Sequence, residues 1–148
     1  MRLVVQRSKE SSVLVDGKVV GSIASGLVVL VGFNTNDTIE DIKYLAQKLV
    51  NLRIFDDENH IMNKSVIDIN GEILSVSQFT LYGDTKKGNR PSYINAMKAD
   101  EAKKLYELFN EEVSKYISVK TGIFQADMTV SITNDGPVTI IMESENKK

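Results

Sequence analysis

Residues 73–81, Ile-Leu-Ser-Val-Ser-Gln-Phe-Thr-Leu, combine the apolar side chains of a buried strand with polar groups that packing alone does not require. Buried hydroxyl and amide groups need hydrogen-bond partners, and a bound ligand can supply them. The hydroxyls of Ser77 and Thr80, the Gln78 amide and nearby backbone N–H groups can polarise a carbonyl in the manner of an oxyanion hole. Because side chains alternate along a strand, Ser77 and Thr80 share one site only if the strand bends, bulges or ends between them.

The residues that most often hydrolyse esters are missing from this chain. Its 148 residues include no Cys and one His, and they contain no Gly-x-Ser-x-Gly elbow. His60 lies in the acidic stretch 56–60, where a solvated loop residue is the expected role. The sequence therefore excludes disulfides, thiolate chemistry and Cys-ligated zinc, and we expect neither a metal nor a cofactor. No general base that would deprotonate Thr80 is evident.

A second polar stretch, Thr-Asn-Asp-Gly-Pro-Val-Thr at 133–139, lies between two alternating apolar segments near the end of the chain. The pattern predicts strands at 128–132 and 138–142, joined by a hairpin turn that contains one of only two prolines. An ordinary turn accounts for this stretch when its residues are considered alone.

Taken together, the two polar stretches resemble the D-aminoacyl-tRNA deacylase family. The matching motifs are Ser-Gln-Phe-Thr-Leu at 77–81 and Asn-Asp-Gly-Pro-Val-Thr at 134–139. Shorter matches at 52–55, 62–65, 84–92, 121–124 and 126–128 extend the likeness from Met1 to about Met142. The resemblance implies a hydrolase that cleaves the ester of D-aminoacyl-tRNA, and of glycyl-tRNA mischarged on tRNA-Ala, while it rejects L-aminoacyl-tRNA. It also implies a barrel-like antiparallel or mixed β-core with two helices packed outside, in a homodimer whose site lies near the subunit interface.

The resemblance assigns roles to the residues of the central stretch. Ser77, Gln78 and Thr80 form the catalytic set, and Phe79 lines the pocket that holds the amino-acid ester and the terminal adenosine. An aminoacyl-tRNA carries a hydroxyl next to its ester, so the resemblance implies a site that positions the substrate while the RNA 2′-OH assists. The implied partner is the 3′ end of an aminoacyl-tRNA.

Other features of the family map outside the central stretch. Phe124 and Met128 sit against the adenine, an arrangement like the stacking that single-stranded RNA ends commonly use. Without the resemblance, both residues would be interpreted as ordinary core. Gly136 and Pro137 correspond to the Gly-cisPro signature, which is presented into the pocket of the partner subunit. Gln125 departs from the family pattern, in which a small residue usually follows the Phe.

Length and composition predict one domain over residues 1–148, with a frayed tail at 143–148. No apolar run reaches the roughly 18 residues of a membrane span, so we expect a cytoplasmic protein with no membrane partner. A net charge of −2 disfavours broad adhesion to nucleic acid, and we expect no DNA binding. The cations Lys86, Lys87 and Arg90 share one loop, which either holds a few phosphates or is simply solvated.

Hydrophobic periodicity predicts the strands of an α+β domain. The predicted hairpin turns are at 16–17 and 70–71, and 59–64 is predicted to be loop. Little β-α-β alternation is apparent, which favours an antiparallel or mixed sheet. The predicted strands are 2–7, 12–16, 18–20, 26–32, 53–55, 66–69, 72–81, 117–121, 128–132 and 138–142.

Two helices are predicted from apolar residues that recur at intervals of three and four. The first spans about 38–52 and begins at a capping box formed by Asp37 and Glu40. The second spans about 100–116 and begins at Asp100 as its N-cap.

Three other functions compete with deacylation. A catalytically silent RNA-end or nucleotide-binding module would use the same pocket, and an assay of ester hydrolysis separates the two. A threonine-nucleophile esterase or peptidase needs a base beside Thr80, and the sequence offers none nearby. A structural dimerisation module is the simplest alternative, and the polar Gln78 and Thr80 within a strand weigh modestly against it.

Overall fold

The computed structural model describes residues 1–145. The last three residues, 146–148, lie outside the described part of the chain. The strands are β1 (Arg2–Ser8), β2 (Ser11–Val15), β3 (Lys18–Ile23), β4 (Gly26–Gly32), β5 (Phe55–Asp56), β6 (Met62–Lys64), β7 (Glu72–Ser77), β8 (Val119–Thr121), β9 (Thr129–Ser131) and β10 (Asn134–Glu143). The helices are α1 (Ile39–Val50) and α2 (Ala99–Ser114), and a 3-10 turn spans Phe79–Tyr82.

A five-stranded mixed sheet organises the fold in the order β10-β1-β4-β7-β8. β1 runs antiparallel to β4 and β10, whereas β4, β7 and β8 run parallel to one another. Parallel neighbours require crossover connections, and the chain passes through α1 between β4 and β7 and through α2 between β7 and β8. The predicted α+β class with two main helices and a mixed sheet is confirmed. The described strands form open sheets and do not close into a barrel.

Both faces of the central strand β4 are buried. Leu27, Val29 and Val31 pack with the two helices in the larger core, and Val28 packs in a smaller core with residues of the three-stranded sheet β3-β2-β9. Burial on both faces explains why this strand is a continuous apolar run without polar alternation. Its bounds agree with the predicted strand 26–32.

The hairpin predicted at 70–71 does not form. Residues 66–70 make a helical turn instead, in which the Gly71 N–H donates to the Val66 carbonyl at 3.0 Å. Asn70 has a φ of 53°, a left-handed conformation that ends a helical turn as readily as it serves in a hairpin. β7 then pairs in parallel with β4 and β8, so the predicted strand 66–69 is also wrong.

Two further local predictions are wrong. The predicted loop 59–64 contains β6, which pairs with β5. The predicted hairpin around 133–139 is absent from the described residues, because β9 pairs with β2 and β10 pairs with β1. The second error arises because β9 and β10 pair with strands that are distant in sequence, whereas β6 pairs with β5 only a few residues away and carries no local strand pattern.

The helix starts and the chain end also differ in detail from the prediction. Thr38 and Asp41 form the capping box of α1, one position later than predicted. Lys98 is the N-cap of α2, and Asp100 lies in the first turn of that helix. Within the tail expected to fray, β10 continues to residue 143 and Ser144 is buried, with its Oγ accepting a hydrogen bond from the Met1 amino group at 2.9 Å.

Candidate functional site

The polar stretch 73–81 changes structure in its middle. β7 ends at Ser77, and the 3-10 turn begins two residues later. At the change, the Gln78 N–H donates to the Val31 carbonyl at 2.8 Å, which ties the turn to the end of β4. The Gln78 side-chain Nε2 donates to the Thr80 hydroxyl at 2.5 Å. The strand therefore ends between Ser77 and Thr80, which is one of the geometries that would let these two residues serve one site.

A cavity of about 560 Å³ lies at the carboxyl ends of the parallel strands β4 and β7. Ligands of open sheets with parallel strands usually bind in this position. Its wall is mostly apolar and comes from the ends of β4 and β7, the start of α2 and the segment between β8 and β9. The lining residues are Val31, Phe33, Val76, Ser77, Gln78, Phe79, Met97, Ala99, Ala102, Phe124, Gln125, Ala126, Asp127, Met128 and Val130.

The cavity brings together most of the predicted site residues. Ser77, Gln78 and Phe79 from the central stretch line it, and so do Phe124 and Met128 from a segment more than 40 residues later. Thr80 is exposed and is not part of the wall, although it is hydrogen-bonded to Gln78, which is.

Gly136 and Pro137 lie away from this cavity. They are exposed in β10, which is separated from β7 by β1 and β4, and the peptide bond between them is cis. Arg7 supports the segment, because its Nε donates to the Asp135 carbonyl at 3.1 Å and its Nη1 donates to the Ile54 carbonyl at 2.9 Å. A Cβ atom at Gly136 would lie 3.0 Å from Arg7 Nη2, so the guanidinium packs directly against the glycine.

Hydrogen-bond donors at and beside the wall, together with one acid, make this end of the sheet polar. The first N–H groups of a 3-10 turn have no acceptor within the turn, and here they belong to Phe79 and Thr80. The first turn of α2 reaches the wall through Ala99, so the positive end of the helix dipole lies beside the cavity. Among the lining residues, only Asp127 has an ionisable side chain. This arrangement can accept a carbonyl oxygen on which negative charge develops.

The 3-10 turn is anchored from the other end of the chain. Arg2 Nη1 donates to the Leu81 carbonyl at 2.6 Å, and the Arg2 guanidinium lies 4.7 Å from the centroid of the Tyr82 ring. The Tyr82 hydroxyl donates to a Glu145 carboxylate oxygen at 2.8 Å. Burial, together with this hydrogen bond, raises the pKa of Tyr82 well above its ordinary value, so the hydroxyl stays a donor. Arg2 and Tyr82 thus fix the segment that carries Thr80.

The opposite wall is supported by a buried tyrosine. The Tyr106 hydroxyl donates to the Ser75 carbonyl at 2.8 Å, and its ring centroid lies 5.9 Å from that of Phe124. Burial raises the pKa of Tyr106, which keeps this donor protonated. Gln125, the residue that departs from the family pattern, lines the cavity with a φ of 65°. A glycine adopts that conformation without strain, which explains a preference for a small residue there.

Sequence analysis missed the part of the wall that packing residues supply. Val31 lies in the predicted strand 26–32, Phe33 and Met97 lie outside every predicted element, and Asp127 belongs to the matching motif 126–128. The parallel pairing of β4 with β7 places Val31 opposite Ser77, so a prediction of that pairing would have added Val31 to the candidate site. That pairing was masked by the hairpin signal at 70–71.

Two classes of site are not found in residues 1–145. No group of three or more His, Cys, Asp or Glu side chains is placed to hold a metal ion in this range. No helix in the same range is long and apolar enough to cross a membrane.

Comparison with known proteins identifies the family of this chain. The family model described as D-Tyr-tRNA(Tyr) deacylase matches residues 4–143. A D-aminoacyl-tRNA deacylase of Bacillus cytotoxicus is 57% identical over 98% of this chain and 100% of its own length. A protein of the same name from Clostridium novyi is 56% identical over 99% of both chains.

Solved structures give the same result for the fold. The structure of a c-Myc DNA unwinding element binding protein is 42% identical, with a TM-score of 0.92 over 97% of this chain and 98% of that chain. A probable eukaryotic D-amino acid tRNA deacylase shares the fold at 20% identity, with a TM-score of 0.82 over 95% of this chain and 97% of that chain. The family match over residues 4–143 and the relatives at 56% and 57% identity therefore establish that this chain belongs to the D-Tyr-tRNA(Tyr) deacylase family.

Proposed function

We propose that the cavity at the ends of β4 and β7 binds the 3′ end of a D-aminoacyl-tRNA and hydrolyses its ester there. Membership of the family makes ester hydrolysis of D-aminoacyl-tRNA the activity of this protein. The observation that carries the choice of site is that Ser77, Gln78 and Phe79 line one cavity together with Phe124 and Met128. In this arrangement the ester lies at the end of β7, and the terminal adenine lies against Phe124 and Met128.

The chemistry of the site rests on positioning and charge stabilisation. The N–H groups of Phe79 and Thr80 start the 3-10 turn and supply donors for the developing oxyanion. Gln78 holds the Thr80 hydroxyl by a hydrogen bond, which orients that hydroxyl toward the reacting group. The 2′-OH of the terminal ribose, next to the ester, assists the reaction without a covalent intermediate on Thr80.

A second copy of the chain completes the site in this proposal. Gly136 and Pro137 are exposed on β10 and do not line the cavity of their own chain, so they can act on it only from another subunit. β10 is an edge strand of the large sheet, and Ile141 on it is 65% exposed, which makes this edge a suitable contact. We expect a homodimer in light scattering, and a monomer that is fully active would contradict this part of the proposal.

Selection against L-amino acids follows from the residue types of the Gly136–Pro137 segment. Glycine has no side chain and that of proline is apolar. The segment therefore distinguishes D- from L-amino acids through its backbone groups and through its bulk in the volume that an L side chain would fill. Glycine places nothing in that volume, and such a site has no means of refusing it. We therefore expect glycyl-tRNA to be hydrolysed along with D-aminoacyl-tRNA.

The test compares one tRNA charged with glycine, D-alanine or L-alanine under single turnover. Steric exclusion predicts a glycine rate near that of D-alanine and a much slower rate for L-alanine. A pocket that instead recognised the D side chain by burying it would lose about 0.8 kcal/mol for each CH₂ missing from glycine. Glycine as slow as L-alanine would therefore refute exclusion, and no hydrolysis of any charged tRNA would favour a silent RNA-end module.

Two further expectations belong to this proposal. We expect the protein to act in the cytoplasm, where charged tRNA is found. One structural relative bears a DNA-binding name, but the net charge of −2 on this chain gives no broad basic face for duplex DNA, and we expect no DNA binding.

A further inference from the structure

An exposed aromatic pair lies beside the cavity. Phe79 lines the cavity and also packs edge-to-face on Tyr93, with ring centroids 5.2 Å apart and an interplanar angle of 68°. The two residues are 57% and 41% exposed, so the pair presents aromatic surface outside the cavity as well as at its wall. Because the rings are steeply inclined, the contact between them leaves ring surface free for a further planar group.

A cationic loop begins and ends at this pair. Asp84 and Ser92 exchange two backbone hydrogen bonds, of 2.8 and 2.9 Å, which close the loop between them. A Cβ atom at Gly83 would lie 3.1 Å from the Tyr93 ring, so the base of the loop packs against the aromatic pair. The loop is therefore held next to the mouth of the cavity by backbone contacts.

The cations of this loop have no acidic partner among residues 1–145. Lys86, Lys87 and Arg90 are exposed, and within residues 1–145 none of them forms an ion pair. The one acid of the loop, Asp84, accepts a hydrogen bond from the Lys86 backbone N–H at 2.9 Å. Three cations against one carboxylate make this a local positive patch on a protein of net charge −2.

We propose that the Phe79–Tyr93 pair and the 84–92 loop bind the unpaired nucleotides that precede the terminal adenosine of the RNA. Proteins that bind single strands combine aromatic side chains, on which bases stack, with cations that follow the phosphates. Both elements occur here, next to the cavity assigned to the terminal adenosine and its ester. This inference rests on the proposed function, since it places the RNA strand that leaves the cavity. A second copy of the chain that met this patch with its own 84–92 loop would bring like charges together.

The test uses two substrates that differ only in the upstream nucleotides: D-alanyl-tRNA, and D-alanine esterified to the 3′-OH of adenosine. The triple variant Lys86→Ala, Lys87→Ala, Arg90→Ala should lower kcat/KM on the tRNA about tenfold or more at low salt. Loss of three phosphate contacts should also make the slope of log kcat/KM against log salt shallower by about 2. On the adenosine ester, kcat/KM should stay within about twofold of wild type.

Tyr93 supplies a second, uncharged variant. Tyr93→Ala should lower kcat/KM on the tRNA by about tenfold, because a stacked base loses its platform, and Tyr93→Phe should restore it. The matched control is the triple variant Lys18→Ala, Lys43→Ala, Lys48→Ala, which removes exposed cations elsewhere on the chain. Its kcat/KM on both substrates should equal that of wild type. Thermal unfolding and light scattering on every variant check the fold and the assembly.

The possible results distinguish a failure of the nucleotide-binding surface from a failure of the proposed deacylase function. If loop and Tyr93 variants hydrolyse the tRNA as fast as wild type, the nucleotide-binding surface is refuted while the deacylase site stands. Equal losses on both substrates, or a changed molecular mass, would also refute it, because the residues would then act on the catalytic site or the dimer. Wild-type protein that hydrolyses neither D-alanyl substrate would overturn the proposed function, and this inference with it.

Discussion

Arg2 links the first strand to the 3-10 turn, and its replacement by Met should weaken both the fold and the reaction. Its Nη1 bonds to the Leu81 carbonyl at 2.6 Å, its guanidinium faces the Tyr82 ring, and its Nε bonds to Glu143 at 2.8 Å. Met keeps a similar unbranched stem but removes the charge and every donor. The variant therefore tests the anchor with little change in volume.

The size of the effect follows from these three contacts. A hydrogen bond from a charged donor contributes about 1.5–3 kcal/mol, and a partly exposed cation–π contact adds about 0.5–1 kcal/mol. The ion pair with Glu143 is worth less than about 1 kcal/mol, because the two side chains are 33% and 28% exposed. The contacts share one side chain and are not additive, so we expect the free energy of unfolding to fall by about 2–3 kcal/mol.

Urea unfolding measures the loss of stability, and single-turnover deacylation measures its effect on the site. Because Leu81 directly follows Thr80, we expect a looser turn to lower kcat by about tenfold, equivalent to about 1.4 kcal/mol. Lys115→Met is the matched control, since it removes the ion pair between the exposed C-cap residue of α2 and Glu112 and should cost less than about 0.5 kcal/mol. A change below 0.5 kcal/mol in Arg2→Met, with kcat intact, would refute the role of Arg2 as an anchor.

Four other predictions concern the site directly. Thr80→Ala keeps the backbone N–H and removes only the hydroxyl, so it should lower kcat by no more than about 100- to 1,000-fold, the 2.7–4 kcal/mol typical of one lost hydrogen bond to a developing charge; trapping of an acyl group on wild-type Thr80 would contradict this. A substrate ending in 2′-deoxyadenosine should be hydrolysed far more slowly than the normal substrate, whereas the Asp127→Asn variant should hydrolyse the normal substrate at the wild-type rate. A deoxy substrate hydrolysed at the normal rate, together with an inactive Asp127→Asn variant, would identify Asp127 as the base. Gln125→Gly should raise the free energy of unfolding by about 0.5–1 kcal/mol in urea, whereas Gln125→Ala, which keeps a Cβ at positive φ, should not. Activity should survive a chelator, and a loss reversed by a divalent ion would show metal dependence.

Local signals predicted the parts of the fold that depend on few neighbours. The strand 26–32 was predicted at its observed bounds, because glycines bound a continuous apolar run that only a strand buried on both faces requires. The turn at 16–17 was predicted because both positions tolerate positive φ, and they have φ values of 51° and 75°. In each case the sequence itself contains the reason for the structure.

Non-local pairing accounts for the failure of the predicted hairpin at 70–71. Asn70 and Gly71 satisfy a helical turn as well as a hairpin, and the choice between them depends on whether β7 finds a better partner elsewhere. It does so in β4, where Val29 lies opposite Ser75, and in β8, where Thr121 lies opposite the same residue. No signal within a short window distinguishes these arrangements, because the energy that separates them comes from burying both faces of the sheet.

The unpredicted parallel pairing of β4 with β7 also explains why the sequence indicated the polar residues of the candidate site and not the apolar residues around them. Had β7 paired antiparallel with 66–69, the end of β7 would not lie beside the end of β4, and Ser77 would not face Val31 across a strand pair. The parallel pairing places both carboxyl ends at one edge, and the chain then crosses over through α2, whose first turn closes the cavity at Ala99. The polar residues of 73–81 therefore indicated that a site exists, while the crossover connections determine what surrounds it. Gly136 and Pro137 show the same dependence on topology, since the sheet order separates β10 from β7 by β1 and β4 and so keeps these two residues out of the cavity.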